Sequence, residues 1–211
     1  MYKRQLSVLG TSGVVEPMSE QAIVDTIGVE LRQAFCACPQ GRLILTPGNY
    51  GADFLAANGL DALGVPVVRC SNFIGEALDM AAAEGFSAVL LVGHIGKLVK
   101  LAGGIMNTHS RSADCRTELF CAHAAAAGAS TALCRALLDA PTTDACIALL
   151  DTAGLRAAVL DSLTAAAQRH LERRAAGAYR VGVELFSNEY GPLGASPAAR
   201  ELIEQWRNDR Q

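Results

Sequence analysis

Short apolar runs alternate with stretches in which apolar side chains recur every three or four residues, and this alternation fills the first half of the chain. The runs Leu6–Leu9, Leu43–Thr46, Val65–Arg69 and Ala88–Val92 read as strands. Between them, Ile23, Ile27, Leu31 and Ala34 mark one face of a helix. Ser19 is its expected N-cap, with Met18 and Ile23 placed as a hydrophobic staple. A short helix is predicted up to about Ala57, and another over Phe73–Glu84. Pro66 suits the third strand to a sheet edge, because proline has no N–H for a ladder on that side.

The second half reads as mostly helical, over Ala113–Ala127, Ser130–Leu138, Thr143–Asp151 and Leu155–Ala176. Arg169, Arg173 and Arg174 gather near the end of the last of these, where cations suit the helix dipole, and a solvated terminus is expected. Tyr179–Phe186 alternates as a further strand, and Ser196-Pro197 opens a final helix as cap followed by proline. Strands alternating with helices imply βαβ units, and near-continuous apolar strands imply a sheet covered on both faces. The expected fold is α/β and doubly wound: a mainly parallel sheet of about four to five strands, helices on both faces, and a helix-rich second half. Residues 1–211 are expected to form one such domain.

Each early strand runs into a loop of small polar residues. These are Gly10-Thr11-Ser12-Gly13, then Pro47 to Gly51 with Asn49 and Tyr50, then Cys70-Ser71-Asn72, then Gly93-His94-Ile95-Gly96. In an open parallel sheet, ligands bind outside the carboxyl ends of the strands, where helix N-termini bring free N–H groups. The loops are therefore expected to share one crevice. The stretch after the fourth strand adds Lys97, Lys100, Asn107, His109 and Arg111 to it. Lys97 and Lys100 are three residues apart, on one helix face, and suit either a solvated face or an electrostatic clamp on carboxylates or phosphates. Asn107–Arg111 suits either a pair of helix caps or part of the site. His123 reads as a packed or surface histidine, Glu16 as a loop carboxylate, and Asp114 and Glu118 as partners of Arg116 and the helix dipole.

Composition narrows the classes. About half of the 211 residues are apolar, so a sizeable core is available. The net charge of −3 and the 5% aromatic content point away from nucleic acid. No apolar run approaches the ~18 residues of a membrane span, and no signal peptide is visible. The seven cysteines contain no CxxC pair and read as buried free thiols in a reducing compartment rather than as zinc ligands, so a cytoplasmic protein is expected. The sequence leaves room for a homo-oligomer.

The segments GTSGVVEPMSE, LTPGNYGADF, CSNFIGEALD and VGHIGKLVKLAGGIMNTHSRSADCR, in this order, resemble the CbiD family, cobalt-precorrin-5B C1-methyltransferases of anaerobic cobalamin synthesis. The likeness runs from Leu6 to about Gly128 and fades to a general one afterwards. Members of that family begin with a separate N-terminal α+β domain bearing an alanine-rich TTG-type motif, which has no counterpart here. The resemblance therefore implies that this chain is the C-terminal α/β part, a fragment of a longer enzyme.

It also implies a methyl donor, S-adenosylmethionine, and a tetrapyrrole substrate that carries its own cobalt. On that reading Gly10, Thr11, Ser12, Gly13, Asn49, Tyr50, Ser71, Asn72, Gly93 and Gly96 hold the donor. Lys97, Lys100, Asn107 and Arg111 anchor the carboxylate arms of the macrocycle. His94 or His109 assists a proton movement. Two other readings use the same residues: a non-catalytic nucleotide- or phosphate-binding module on the glycine loops, and a metal hydrolase using His94, His109 and Asp114.

Overall fold

A computed structural model describes residues 19–210. The expected strand Leu6–Leu9, the GTSG loop, Glu16 and the staple residue Met18 lie outside these residues. Helix α1 (Glu20–Ala37) starts where Ser19 accepts a hydrogen bond from the Ala22 amide, and it buries Ile27, Leu31 and Ala34. The chain continues through β1 (Arg42–Thr46), α2 (Tyr50–Ala57), β2 (Val67–Arg69), α3 (Ile74–Glu84) and β3 (Ala88–His94). Strand β3 extends two residues past the apolar run, through Gly93 and His94.

After β3 come the single turn α4 (Ile95–Leu98) and a 3-10 stretch, Val99–Gly103. Helices α5 (Arg116–Ala126), α6 (Thr131–Leu138), α7 (Thr143–Thr152) and α8 (Arg156–Ala175) follow. The chain closes with β4 (Arg180–Ser187), β5 (Gly191–Ala195) and α9 (Pro197–Asn208).

The described residues form one sheet of five strands in the order β2-β1-β3-β4-β5. The first four strands are parallel and β5 is antiparallel to β4. Among the described residues strand β2, which follows Pro66, lies at one edge of the sheet. Alternate side chains send Leu43, Leu45, Val89, Leu91, Val181 and Val183 into a core shared with α1, α3 and α8. Ile44, Leu90, Val92 and Phe186 enter a second core with α2 and α9, where Phe54 stacks on Phe186 and Trp206 is buried. The expected doubly wound α/β architecture, helix-rich in its second half, is thus the one observed.

Three details differ from the periodicity. Strand β5 (GPLGA) has no β-branched or aromatic residue, and it is a strand only because it pairs back on β4. Helix α5 begins at Arg116, not Ala113: Cys115 sits at φ 52°, a left-handed backbone that ends helical propagation, and the Ala113 carbonyl is held by Lys100. Arg169, Arg173 and Arg174 are exposed, as a solvated helix end implies, but Arg174 is not a free cation. It clamps Asp79 of α3 through two bonds of 2.9 and 2.6 Å, and the absent side chain of Gly75 makes room for its guanidinium.

Gly182 of β4 lets α9 approach the sheet closely. A Cβ there would lie 2.5 Å from the Ala199 backbone. Gly182→Ala should therefore push α9 off the sheet and destabilise the fold by roughly 1–3 kcal/mol, read as a lower urea midpoint. An unchanged midpoint would mean that α9 does not pack as described.

Candidate functional site

The order of the strands decides where a crevice opens. From β1 the chain moves outward to β2; from β3 it moves the other way, to β4. Strands β1 and β3 are neighbours, so the loops at their carboxyl ends part company at a topological switch point, the place where such sheets bind ligands. A cavity of about 600 Å³ lies there. Its walls are the loop after β1 (Pro47, Gly48, Asn49 and Tyr50), the start of α4 (His94, Gly96 and Lys97), Arg116 of α5, and Thr142, Thr143 and Asp144 at the start of α7. A smaller space of about 240 Å³ adjoins it, sharing Arg116, Thr142 and Thr143.

Glycines keep the backbone close to this cavity. Gly48 has φ +96°, and a Cβ there would come 3.4 Å from the Lys97 amine. A Cβ on Gly96 would meet His94 Nδ1 at 3.2 Å and Thr143 Oγ1 at 3.6 Å. Gly93 lies deeper, where a Cβ would meet Leu98 and Pro47 at 2.9 Å, so it serves the packing of the loops rather than the cavity wall.

His94 caps α4: its Nδ1 accepts the Gly96 amide at 3.0 Å. That bond fixes the neutral tautomer with the proton on Nε2. Phe186 packs edge-on against the ring and Tyr50 tilts toward it. Burial pushes the imidazole below its ordinary 6.5, and the Asp144 carboxylate works against this. His94 thus presents the cavity with an N–H donor. Lys97 is half-buried, and burial, with Lys100 adding to it, lowers its ammonium below the ordinary value. Cys70 is itself buried, which pushes its thiol up to about 12 and keeps it a neutral packing group.

The remaining expected site residues are placed differently. Lys100 is 3% exposed, and its ammonium donates to the carbonyls of Thr108 (3.1 Å) and Ala113 (2.7 Å). It shapes the 107–115 segment from beneath and does not reach the cavity wall. Burial lowers its ammonium, Asp114 opposes this and Arg116 adds to it.

Asn72 holds the same segment from the side. Its carbonyl accepts the Thr108 amide at 2.9 Å and its Oδ1 the Thr108 hydroxyl at 3.3 Å, with Ser71 turning the chain at φ 52°. Asn107 Oδ1 accepts the His109 amide, and His109 Nδ1 accepts the Arg111 amide, while Arg111 is exposed. Ser71, Asn72, Asn107, His109 and Arg111 therefore belong to a loop framework beside the cavity. Gly10, Thr11, Ser12 and Gly13 lie outside the described residues.

The cavity also contains groups that local sequence reading passed over. Asp144 and Thr143 arrive from α7, distant in the chain from the strand loops. The only local signal was the cap motif Thr142-Thr143-Asp144, where Thr142 Oγ1 accepts the Ala145 amide. Arg116 forms two bonds to Asp114, at 2.5 and 2.9 Å, so Asp114 is its ion-pair partner as the spacing suggested. No group of three or more His, Cys, Asp or Glu stands together as a metal cluster among the described residues. Within them no helix is long and apolar enough to cross a membrane. The seven cysteines are free thiols; Cys38, Cys70 and Cys146 are buried and Cys36 is exposed. His123 packs against Ser162.

Fold and cavity together define an α/β protein with a crevice at the switch point of a mainly parallel sheet. Residues 107–197 match the family model described as the CbiD C-terminal domain, and similarity to individual relatives runs along most of the chain. A protein of Ruminiclostridium cellulolyticum named cobalt-precorrin-5B C(1)-methyltransferase is 44% identical over 186 residues, 87% of this chain and 47% of that protein. Proteins of the same name from Alkaliphilus metalliredigens and Moorella thermoacetica are 38% and 37% identical over 94% and 97% of the chain, and over 52% and 56% of their own lengths. The chain spans about half the length of these curated relatives. No solved structure matches it.

Two outcomes follow from the geometry. Because the native state holds His94 neutral to lower pH than the unfolded chain does, the unfolded chain binds the proton first as pH falls. His94 then costs stability progressively below about pH 6.5, until its native ring protonates as well. His94→Asn keeps a capping acceptor and removes the titration, so urea midpoints should fall less between about pH 7.5 and 5 than in the parent. Equal slopes would place the acid sensitivity elsewhere. Separately, Lys100→Met strands the carbonyls of Thr108 and Ala113 and should lower stability by about 1–3 kcal/mol in the same unfolding measurement.

Proposed function

We propose that this chain is the donor-binding α/β part of an S-adenosylmethionine-dependent C-methyltransferase, one that methylates C1 of cobalt-precorrin-5B to give cobalt-precorrin-6A. Such an enzyme works in the cytoplasm, in the anaerobic synthesis of cobalamin. The observation that carries this reading is the cavity at the β1/β3 switch point, in a chain 37–44% identical to methyltransferases of that name.

The residues present fit the donor. A cavity of about 600 Å³ is within the usual range for small-ligand sites. The bare backbone at Gly48 and Gly96 leaves the close approach that a side chain would fill. When bound, the donor supplies a methyl group on a sulfonium, an excellent leaving group. What remains for the protein is placement of two reactants in line rather than strong acid or base chemistry. Asn49 and Tyr50 offer polar contacts at the mouth. His94 holds a hydrogen bond through Nε2–H rather than accepting a proton, because its only acceptor nitrogen is committed to the helix cap. Lys97 offers a cation to a carboxylate arm of the macrocycle. Lys100, Asn72 and Asn107 position the 107–115 segment that carries His109 and Arg111 toward the same substrate. The cobalt belongs to the substrate.

Calorimetric titration of the folded chain with S-adenosylhomocysteine tests the donor half of this reading. Saturable binding is expected, and Gly96→Val, which fills the cradle against His94 and Thr143, should weaken it by about 10-fold or more. A folded sample that binds no S-adenosylhomocysteine would overturn it. A preference for ADP would instead favour a nucleotide-binding module.

A further inference from the structure

The start of α7 holds an arrangement that the methyl-transfer reading leaves unused. Thr142 caps the Ala145 amide with its hydroxyl and the Cys146 amide with its carbonyl. The amides of Thr143 and Asp144 precede the first intrahelical bond and have no helical acceptor. Thr143 is only 5% exposed, and its hydroxyl has no hydrogen-bond partner among the described residues. That hydroxyl reaches to 3.6 Å from the position of a Gly96 side chain, so it points into the cavity.

Asp144 beside it is held in one orientation. The buried Ser187 hydroxyl donates to Asp144 Oδ1 at 2.6 Å. The Ser187 oxygen in turn accepts the amides of Glu189 and Tyr190, so its one proton is committed to Asp144. Oδ2 of Asp144 is left for a ligand. Arg116 also faces the cavity; its Nε and one amino group are taken by Asp114, and the other, Nη1, has no partner among the described residues.

A carboxylate acceptor thus stands one residue away from free amides, a free hydroxyl and a spare guanidinium N–H. A simple anion would be repelled by Asp144, and a simple cation by Arg116 and the helix dipole. A ligand bearing both charges a few ångströms apart satisfies all of them.

We propose that the N-terminus of α7 is a receptor for an α-amino-acid group. Asp144 takes its ammonium, and the Thr143 hydroxyl, the free amides and Arg116 take its carboxylate. Resting on the reading above, this places the methionyl end of the donor at α7 and leaves the loop after β1 for its adenosine. Ser187 is a positioning residue for Asp144.

The test compares two ligands on the intact chain by calorimetry: S-adenosylhomocysteine, which carries the amino acid, and 5′-methylthioadenosine, which lacks it. The second should bind about 10- to 100-fold more weakly. Asp144→Asn, which keeps the shape and removes the charge, should weaken S-adenosylhomocysteine and leave methylthioadenosine unchanged. Equal affinity of the two ligands for the unaltered chain would overturn the inference while leaving the donor site standing, and that comparison does not depend on any variant folding. An Asp144→Asn chain that still prefers S-adenosylhomocysteine by the full margin would also overturn it. Binding of neither ligand would remove the donor from this chain altogether, and the receptor with it.

Discussion

Strands β1 and β3 lie side by side, parallel, with their apolar side chains buried on both faces of the sheet. Everything that concerns the site depends on that pairing. Neither strand can shift without moving two cores at once, because alternate side chains serve helices on opposite faces. The loops that leave their carboxyl ends must diverge, since β2 lies to one side and β4 to the other. The cavity is the gap left by that divergence. Its floor is the ends of these buried strands, and its walls are short loops that stay close through Gly48 and Gly96.

The long crossover between β3 and β4 closes the gap. It carries five helices and returns the start of α7 across the strand ends, where Ser187 at the end of β4 bonds Asp144. This contact ties the start of α7 to the end of β4, where α7 forms the far wall of the cavity. Lys100 performs the comparable task nearer to β3. It is a buried cation whose hydrogen bonds go to two carbonyls, with the Asp114 carboxylate favouring its charge, and it holds the largely irregular 107–115 segment in place. Such an arrangement costs desolvation of a charge, and the carbonyls offset that cost only while the segment keeps its shape. The irregular loop and the buried lysine are therefore mutually dependent.

His94 shows how one bond restricts chemistry. An imidazole beside a cavity suggests a proton shuttle, yet with Nδ1 occupied by the Gly96 amide the ring is limited to donating through Nε2. His109 likewise accepts a backbone amide at Nδ1, that of Arg111. Methyl transfer from a sulfonium makes small demands on acid–base groups, so a site of donors, cations and close backbone agrees with the chemistry proposed for it.

Local pattern alone located the elements well. The alternation of apolar runs with helical periods placed β1 to β4 and the long helices to within a few residues, and Ser19, Ser196 and Pro66 marked ends and an edge. These features arise from backbone preference and burial period, which nearby residues settle between themselves. Half of the cavity was legible for the same reason: the loops after β1 and β3 follow apolar strands directly, and Asn49, Tyr50, His94, Gly96 and Lys97 do line it. What tertiary structure alone decided was which distant groups meet there. Thr143 and Asp144 reach the cavity because a helical excursion folds back over the strand ends, and Lys100 faces loop carbonyls rather than the crevice. Neighbours in sequence set conformation; contacts across the fold set which polar atoms are already satisfied and which remain available to a ligand.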